Sequence, residues 1–548
     1  MSRPVDRLRR DTALNGWGEP GHKPELGPEA RAMLSERIGE CEPAPAMRIG
    51  ELDLPDGAGI PAAVIDAAGG ADAISDDLED RLRHAGGKSY PDLVRMRSGA
   101  IDGAPDAVVA PPDADSVARV LAACSAEGIA VVPFGGGTSV VGGVDPDRGE
   151  HERLIALDLA NLRGVEVDPI SLTARLGPGL RGPEAEAALG KRGYTLGHFP
   201  QSYRYATIGG FAATRSAGQS SSGYGRFDEL VTEVELTAPA GVLRTLATPH
   251  TAAGPSLREV VLGSEGVFGA ITDVVARVRV APASRRYEAW FAADFAEGIE
   301  IVRSLAQDDA LPDVVRLSDR NETTVSLALA GLEGFRRTAL ERYLRARRRQ
   351  EGCMLIVGGE GEREAVSRRR QLSARLLRAG GAVPLGTSAG RSWERGRFEG
   401  PHLRDSLMDL GVLVETLETS HVYSRIGELY DAVDGALSEA MEARGARGLV
   451  MCHVSHGYRD GASLYFTFLT PARRGEEIEQ WREIKGAACA AIVATGGTIT
   501  HHHAVGRDHA PYMAAEVGEL GLEALRAIKS RFDPAGVMNP GKLIPPPT

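Results

Sequence analysis

Three adjacent histidines, His501, His502 and His503, lie in a Gly-rich frame that runs from Gly496-Gly497 to Gly506. Imidazoles move protons near neutral pH or ligate metals. Neighbouring side chains on an extended chain point to opposite faces, so three in a row rarely reach one ion. No metal is expected. A phenol, Tyr465 in Asp460-Gly461-Ala462-Ser463-Leu464-Tyr465-Phe466, is a second proton-handling group. Alternation puts Tyr465 and Phe466 on opposite faces of a strand. A phenol titrates near pH ~10, so base work near neutrality needs cationic neighbours that depress it. Two arginines suit bidentate recognition of phosphate or carboxylate. Arg316 interrupts the apolar run Val314–Ser318, where a buried guanidinium needs a partner. Arg404 lies in His402–Met408, where pairing with Asp405 is the alternative.

Cofactor chemistry is written further upstream. Val131-Val132-Pro133-Phe134-Gly135-Gly136-Gly137-Thr138-Ser139 is a strand-like run that ends in three glycines and two hydroxyls. Successive N–H groups of such a turn form a nest for a pyrophosphate, and glycine lets the anion approach. It is neither a Walker A loop nor a G-x-G-x-x-G turn. A second block, Pro200 to Gly225, is dense in Gly, Ser and Thr, and a third reads Gly263-Ser264-Glu265-Gly266-Val267-Phe268-Gly269-Ala270-Ile271.

The elements that hold these groups alternate. Val117, Val120, Leu121 and Cys124 share one helical face ahead of the glycine turn, and Leu154–Leu157, Thr173–Leu176, Val231–Thr237 and Ala270–Val280 are strand-like. Glu29–Ile38 and Leu78–His84 read as helices of an N-terminal extension, and Val517, Leu520, Leu522, Leu525 and Ile528 as one face of a C-terminal helix. The fold class is α/β (α+β). The expected domains are an N-terminal helical extension (1–98), a two-subdomain domain that carries the Gly-rich blocks (99–283), a cap or substrate domain with an antiparallel sheet (284–504), and a C-terminal segment that packs back on the domain of the Gly-rich blocks (505–548).

A net charge of −12 argues against nucleic acid as a partner. The arginines 345, 347, 348, 349, 368, 369 and 370 form a basic helical surface, either a solvated face or a peripheral membrane contact. Five scattered cysteines fit a reducing compartment. Met1–Arg10 lacks the apolar core of a signal peptide, and Pro545–Thr548 is not a peroxisomal address. A cytoplasmic protein, peripheral to the membrane at most, is expected.

The three Gly-rich blocks resemble, in order, the PCMH-type flavin-binding domain of the vanillyl-alcohol oxidase superfamily. Asn15-Gly16-Trp17-Gly18, the Arg404-Asp405 and Glu418-Thr419-Ser420 elements, Tyr465 and the His501–His503 triplet resemble the alkylglycerone-phosphate synthase (alkyldihydroxyacetonephosphate synthase) family within the FAD-linked oxidases. That resemblance implies an enzyme that exchanges the acyl chain of acyl-dihydroxyacetone phosphate for a fatty alcohol through a flavin N5 adduct, for ether lipid synthesis. It implies FAD contacts at Pro133, Phe134, Gly135, Gly136, Gly137, Thr138, Ser139, Gln201, Ser202, Thr207, Gly209, Gly210, Thr214, Arg215, Ser216, Ala217, Glu265, Gly266, Gly269 and Ile271. Tyr465 would move the proton, assisted by His503 with His502 and His501, while Arg316 and Arg404 hold the phosphate. Thr138 stands where some superfamily members carry a flavin-linked His, so the FAD is expected to be non-covalent. A lipid or other small-molecule substrate and a homodimer are implied. The alternative is an FAD-linked oxidoreductase (dehydrogenase or oxidase) of a 2-hydroxy acid or alcohol.

Overall fold

The computed structural model describes residues 3–330 and 334–546; Pro547 and Thr548 of the closing segment lie outside them. The helix Ala114–Glu127 starts at Asp113, whose carboxylate accepts from the Ser116 N–H at 2.8 Å, and stops at Gly128 in the left-handed region. Its buried face is the one expected: Val117, Val120, Leu121 and Cys124. It packs beside a four-stranded sheet ordered Ile74–Ser75, Ala107–Val109, Arg153–Asp158, Ile129–Phe134. The last three strands are parallel. Ile74–Ser75 comes from the N-terminal segment, which therefore adds an edge to this sheet. Pro133 is tolerated because its strand lies at the other edge. There the C-terminal tail returns: Val131 donates to the Val537 carbonyl and accepts from Asn539 N–H, both at 2.8 Å.

A second, antiparallel sheet follows, ordered Val165–Asp168, Thr173–Leu176, Ala270–Arg277, Val231–Ala238, Gly241–Arg244. The helix Met513–Phe532 packs on its core through Met513, Leu522, Leu525 and Ile528. The five-residue apolar face expected there is not continuous. Gly518 has φ +71 and breaks the helix, leaving Leu520 79% exposed.

The remaining sheet has seven antiparallel strands, ordered Val383–Gly386, Ser284–Ala292, Cys353–Gly361, Val314–Ser318, Leu449–Gly457, Gly461–Pro471, Val412–Val422. Alternation divides its faces. Leu464, Phe466, Phe468, Val315, Leu317 and Cys452 join helical residues such as Leu305, Leu429 and Ile484 in a dry core. Tyr465, Thr467, Arg316, Met451 and His453 point the other way, into a cavity. The basic helical surface is partly consumed within the chain: Arg369 pairs with Asp313 at 2.7 Å and Arg370 with Glu288 at 2.5 Å, while Arg345, Arg347 and Arg348 stay exposed. Among the described residues no helix is long and apolar enough to cross a membrane.

Candidate active site

A cavity of about 1300 Å³ runs from the glycine turn to the seven-stranded sheet. Pro133 to Ser139, Gln201, Ser202, Thr207, Gly209, Gly210, Thr214, Ser216, Ala217, Glu265, Gly266, Gly269 and Ile271 line one end. Arg316, Arg404, Tyr465, His502 and His503 line the other. Two expected residues do not reach it. Arg215 turns away and donates to the carbonyls of Leu262 and Glu259 at 2.9 and 2.7 Å. His501 is buried behind the wall, its Nε2 2.7 Å from the Tyr458 hydroxyl.

The glycine turn fits an anion. Among the described residues none of the N–H groups from Gly136 to Ser139 finds an acceptor, and all these residues line the cavity. Donors left so on a cavity wall are free to take an anion. The steric reason for the glycines differs from the expected one. A Cβ on Gly135 would meet Thr207 Oγ1 at 2.4 Å, and one on Gly136 would meet the Tyr205 carbonyl at 2.2 Å. They let the turn lie against the second Gly-rich block, leaving the N–H side open; only Gly137 needs positive φ. Thr207 caps the short helix Ile208–Ala213 through its side chain. Glu265 faces the cavity, yet its carboxylate accepts from the N–H groups of Val505 and Gly506 at 2.8 and 2.7 Å. Asn539 donates to its carbonyl at 2.6 Å. The third block thus ties the loop after the histidines and the C-terminal tail to the glycine-turn end.

At the sheet end, register assembles the chemistry. Glu418 and His453 flank Tyr465 directly across the two neighbouring strands. The His453 ring stacks on Tyr465 at 4.8 Å, and His503 meets it edge-on at 5.3 Å. Glu418 is fully buried and organises the triplet. It accepts from the backbone N–H groups of His501, His502 (3.0 Å) and His503 (2.6 Å) and from Thr500 Oγ1 (2.7 Å). Burial alone would raise its pKa, but His502, His503 and His501 hold it well below the usual range. The sequence had named Glu418 without a role. The signal was there: it shares the alternation phase of Thr416 and Val414, both of which line the cavity.

Arg404 and Asp405 do not pair with each other. Arg404 donates through one Nη to the Lys88 carbonyl at 2.9 Å, and Asp405 accepts from the Trp17 N–H at 2.6 Å. The remaining Arg404 nitrogens, Nε and Nη2, are buried on the cavity wall without a partner among the described residues. Arg316, in contrast, donates to Glu322 at 2.6 Å and lies 3.1 Å from His453 Nδ1. Its charge is already balanced, so Arg404 is the freer cation. The depressed phenol that base work by Tyr465 would need is not what its surroundings produce: burial pushes it up to about 12, outweighing Arg316. At neutral pH it is a proton donor.

Burial is also the main cause of low histidine pKa values: His502 is pushed down to about 3, His503 to about 4, and His501 well below its usual value. The native triplet is neutral, whereas an unfolded histidine takes a proton near pH ~6.5. The stability from keeping it neutral is full above that pH and lost as pH falls toward 4 to 3. We predict a melting midpoint that drops steadily between pH 6.5 and 4, with a shallower slope in His502→Ala. A midpoint flat over that window would contradict the burial argument.

The class these features define is an FAD-dependent enzyme of the FAD-linked oxidase type. A family model described as FAD binding domain matches residues 105–247, and one described as FAD linked oxidases, C-terminal domain, matches 281–543. An alkyldihydroxyacetonephosphate synthase from Trypanosoma brucei brucei is 33% identical over 485 residues, 87% of this chain and 79% of that protein. One from Dictyostelium discoideum is 30% identical, covering 86% and 79%. A solved structure of an alkyldihydroxyacetonephosphate synthase superposes with a TM-score of 0.83 over 97% of this chain and 98% of its own, at 26% identity. The chain belongs to the alkyldihydroxyacetonephosphate synthase family.

Proposed function

We propose that this enzyme exchanges the acyl chain of an acyl-dihydroxyacetone phosphate for a fatty alcohol, releasing the acyl chain as a fatty acid and leaving an ether-linked dihydroxyacetone phosphate. One observation carries the reading: a single cavity joins the unpaired donors of Arg404 to an apolar arm. Leu26, Ala30 and Met33 come from the N-terminal segment and its helix Pro28–Ile38; Leu407, Leu449 and Leu469 complete the arm. A phosphate-bearing head and a long alkyl tail need these two surfaces together, and a small hydroxy acid needs no such arm.

Bound FAD would be held by Gly136–Ser139 and the facing 201–217 block, and would supply the redox-capable ring beside which the exchange takes place. The chain's own groups do the rest. Arg404 takes the phosphate by charge-assisted hydrogen bonds from Nε and Nη2. Tyr465 keeps its proton at neutral pH and gives it to the oxygen of the departing chain. Neutral His503, edge-on to Tyr465, receives the proton of the incoming alcohol and passes it to the Tyr465 phenolate, which restores both groups. The buried walls exclude water, which would otherwise compete with the alcohol.

Filling the arm tests the reading. In Ala30→Trp the distal methylenes of a long chain lose their site. At ~0.8 kcal/mol per buried CH₂, losing four costs ~3 kcal/mol, or roughly 100-fold in kcat/KM. Short-chain substrates should be spared. Equal losses for both lengths would remove the tail from this arm. We also propose that the FAD is dissociable, given Thr138 in the glycine turn. Acid precipitation should leave the flavin in the supernatant; a yellow pellet would show a covalent link.

A further inference from the structure

We propose that His22, Glu399 and His402 form a binding site for a divalent transition metal, with Zn²⁺ as the reference ion, clipping the N-terminal segment to the helix Gly400–Asp409. Their donor atoms all lie within 4.8 Å of one another. His22 Nε2 is 3.0 Å from Glu399 Oε2, and the two imidazole rings meet at 4.4 Å. The decisive observation is His402. Its side chain is 0% exposed, yet among the described residues neither ring nitrogen has a hydrogen-bond partner. A buried imidazole normally satisfies at least one nitrogen.

The backbone holds the ring in place rather than satisfying it. Gly18 has φ +72, and a Cβ there would come 2.1 Å from His402 Cε1. Two histidines and a carboxylate with a fourth position open are a familiar Zn²⁺ donor set. The contrast with the other histidine cluster is instructive. The donors of His456, His501 and His502 also lie within 4.8 Å of one another. There, however, His456 binds the Gly218 carbonyl at 2.9 Å and Ser463 at 3.2 Å, and His501 uses both nitrogens on Tyr458 and His502. That cluster is satisfied without an ion.

The site would brace the cavity wall, which Glu399 itself lines. The N-terminal segment carries Trp17 on the cavity wall, and the helix carries Arg404. Zn²⁺ titration of the full-length, flavin-loaded protein by calorimetry tests the assignment. One equivalent should bind, and binding should be retained in His501→Ala. It should weaken in His22→Ala and Glu399→Gln by more than the ~10–100-fold that loss of a supporting residue costs. His22 is exposed, so its removal leaves the fold intact. Zn²⁺ should also protect the 12–24 segment from protease in the unaltered protein and not in His22→Ala. Absence of binding overturns the proposal, as does binding that survives His22→Ala or disappears in His501→Ala.

Discussion

Tyr465→Phe is expected to abolish most of the exchange reaction, by ~10²–10⁴-fold in kcat, the usual worth of a positioned proton donor. The change removes one hydroxyl and keeps the ring, so the stack on His453 at 4.8 Å survives. The phenol lies on the cavity face of its strand, between Glu418 and His453 in register. Flavin content and KM for the acyl phosphate should hardly change, because the phosphate is proposed to bind Arg404 and the cofactor the glycine turn. Stopped-flow or steady-state assay of the purified variant checks this. Activity close to that of the unaltered protein would take Tyr465 out of the chemistry.

Glu418→Gln should be the most damaging substitution for structure. One carboxylate accepts four donors: three consecutive backbone N–H groups and the Thr500 hydroxyl. A glutamine offers one oxygen and turns an NH₂ toward donors. At ~1–3 kcal/mol for each buried group left unsatisfied, a loss of about 3 kcal/mol or more is expected. The loop Thr500–His503 should also exchange its amide protons faster. Because folding depresses the Glu418 pKa, its stabilisation is present above ~4.5 and lost as pH falls below it, so the variant should match the unaltered protein in strong acid. Urea titration at pH 7 and hydrogen exchange over residues 500–503 measure both effects. An unchanged midpoint would show that the triplet is held by something else.

The lining of the cavity at the glycine turn was legible because local composition carries it. Three short Gly-rich blocks are each contiguous, and nearly all of their expected residues line one cavity. Tyr465 was legible because strand alternation fixes its face. Glu418 acquires its role only through the pairing of Val412–Val422 with Gly461–Pro471, and register is not written in either strand alone. The partners of Arg316 and Arg404 were hidden for the same reason. Glu322 is only six residues from Arg316 but on the next helix, and Lys88 lies 316 residues from Arg404. His22 and Glu399 are 377 residues apart. The direction of the Tyr465 shift was not legible because it follows from burial, which also keeps the neighbouring histidines neutral.

The most direct measurement is anaerobic product analysis without any electron acceptor. The flavin-loaded protein is incubated with a long-chain acyl-dihydroxyacetone phosphate and a labelled fatty alcohol. Multiple turnovers should place the label in an ether-linked dihydroxyacetone phosphate, with one fatty acid released per ether formed. No labelled ether, together with acceptor-dependent oxidation of a 2-hydroxy acid or alcohol, would contradict the exchange reading and make the protein an oxidoreductase.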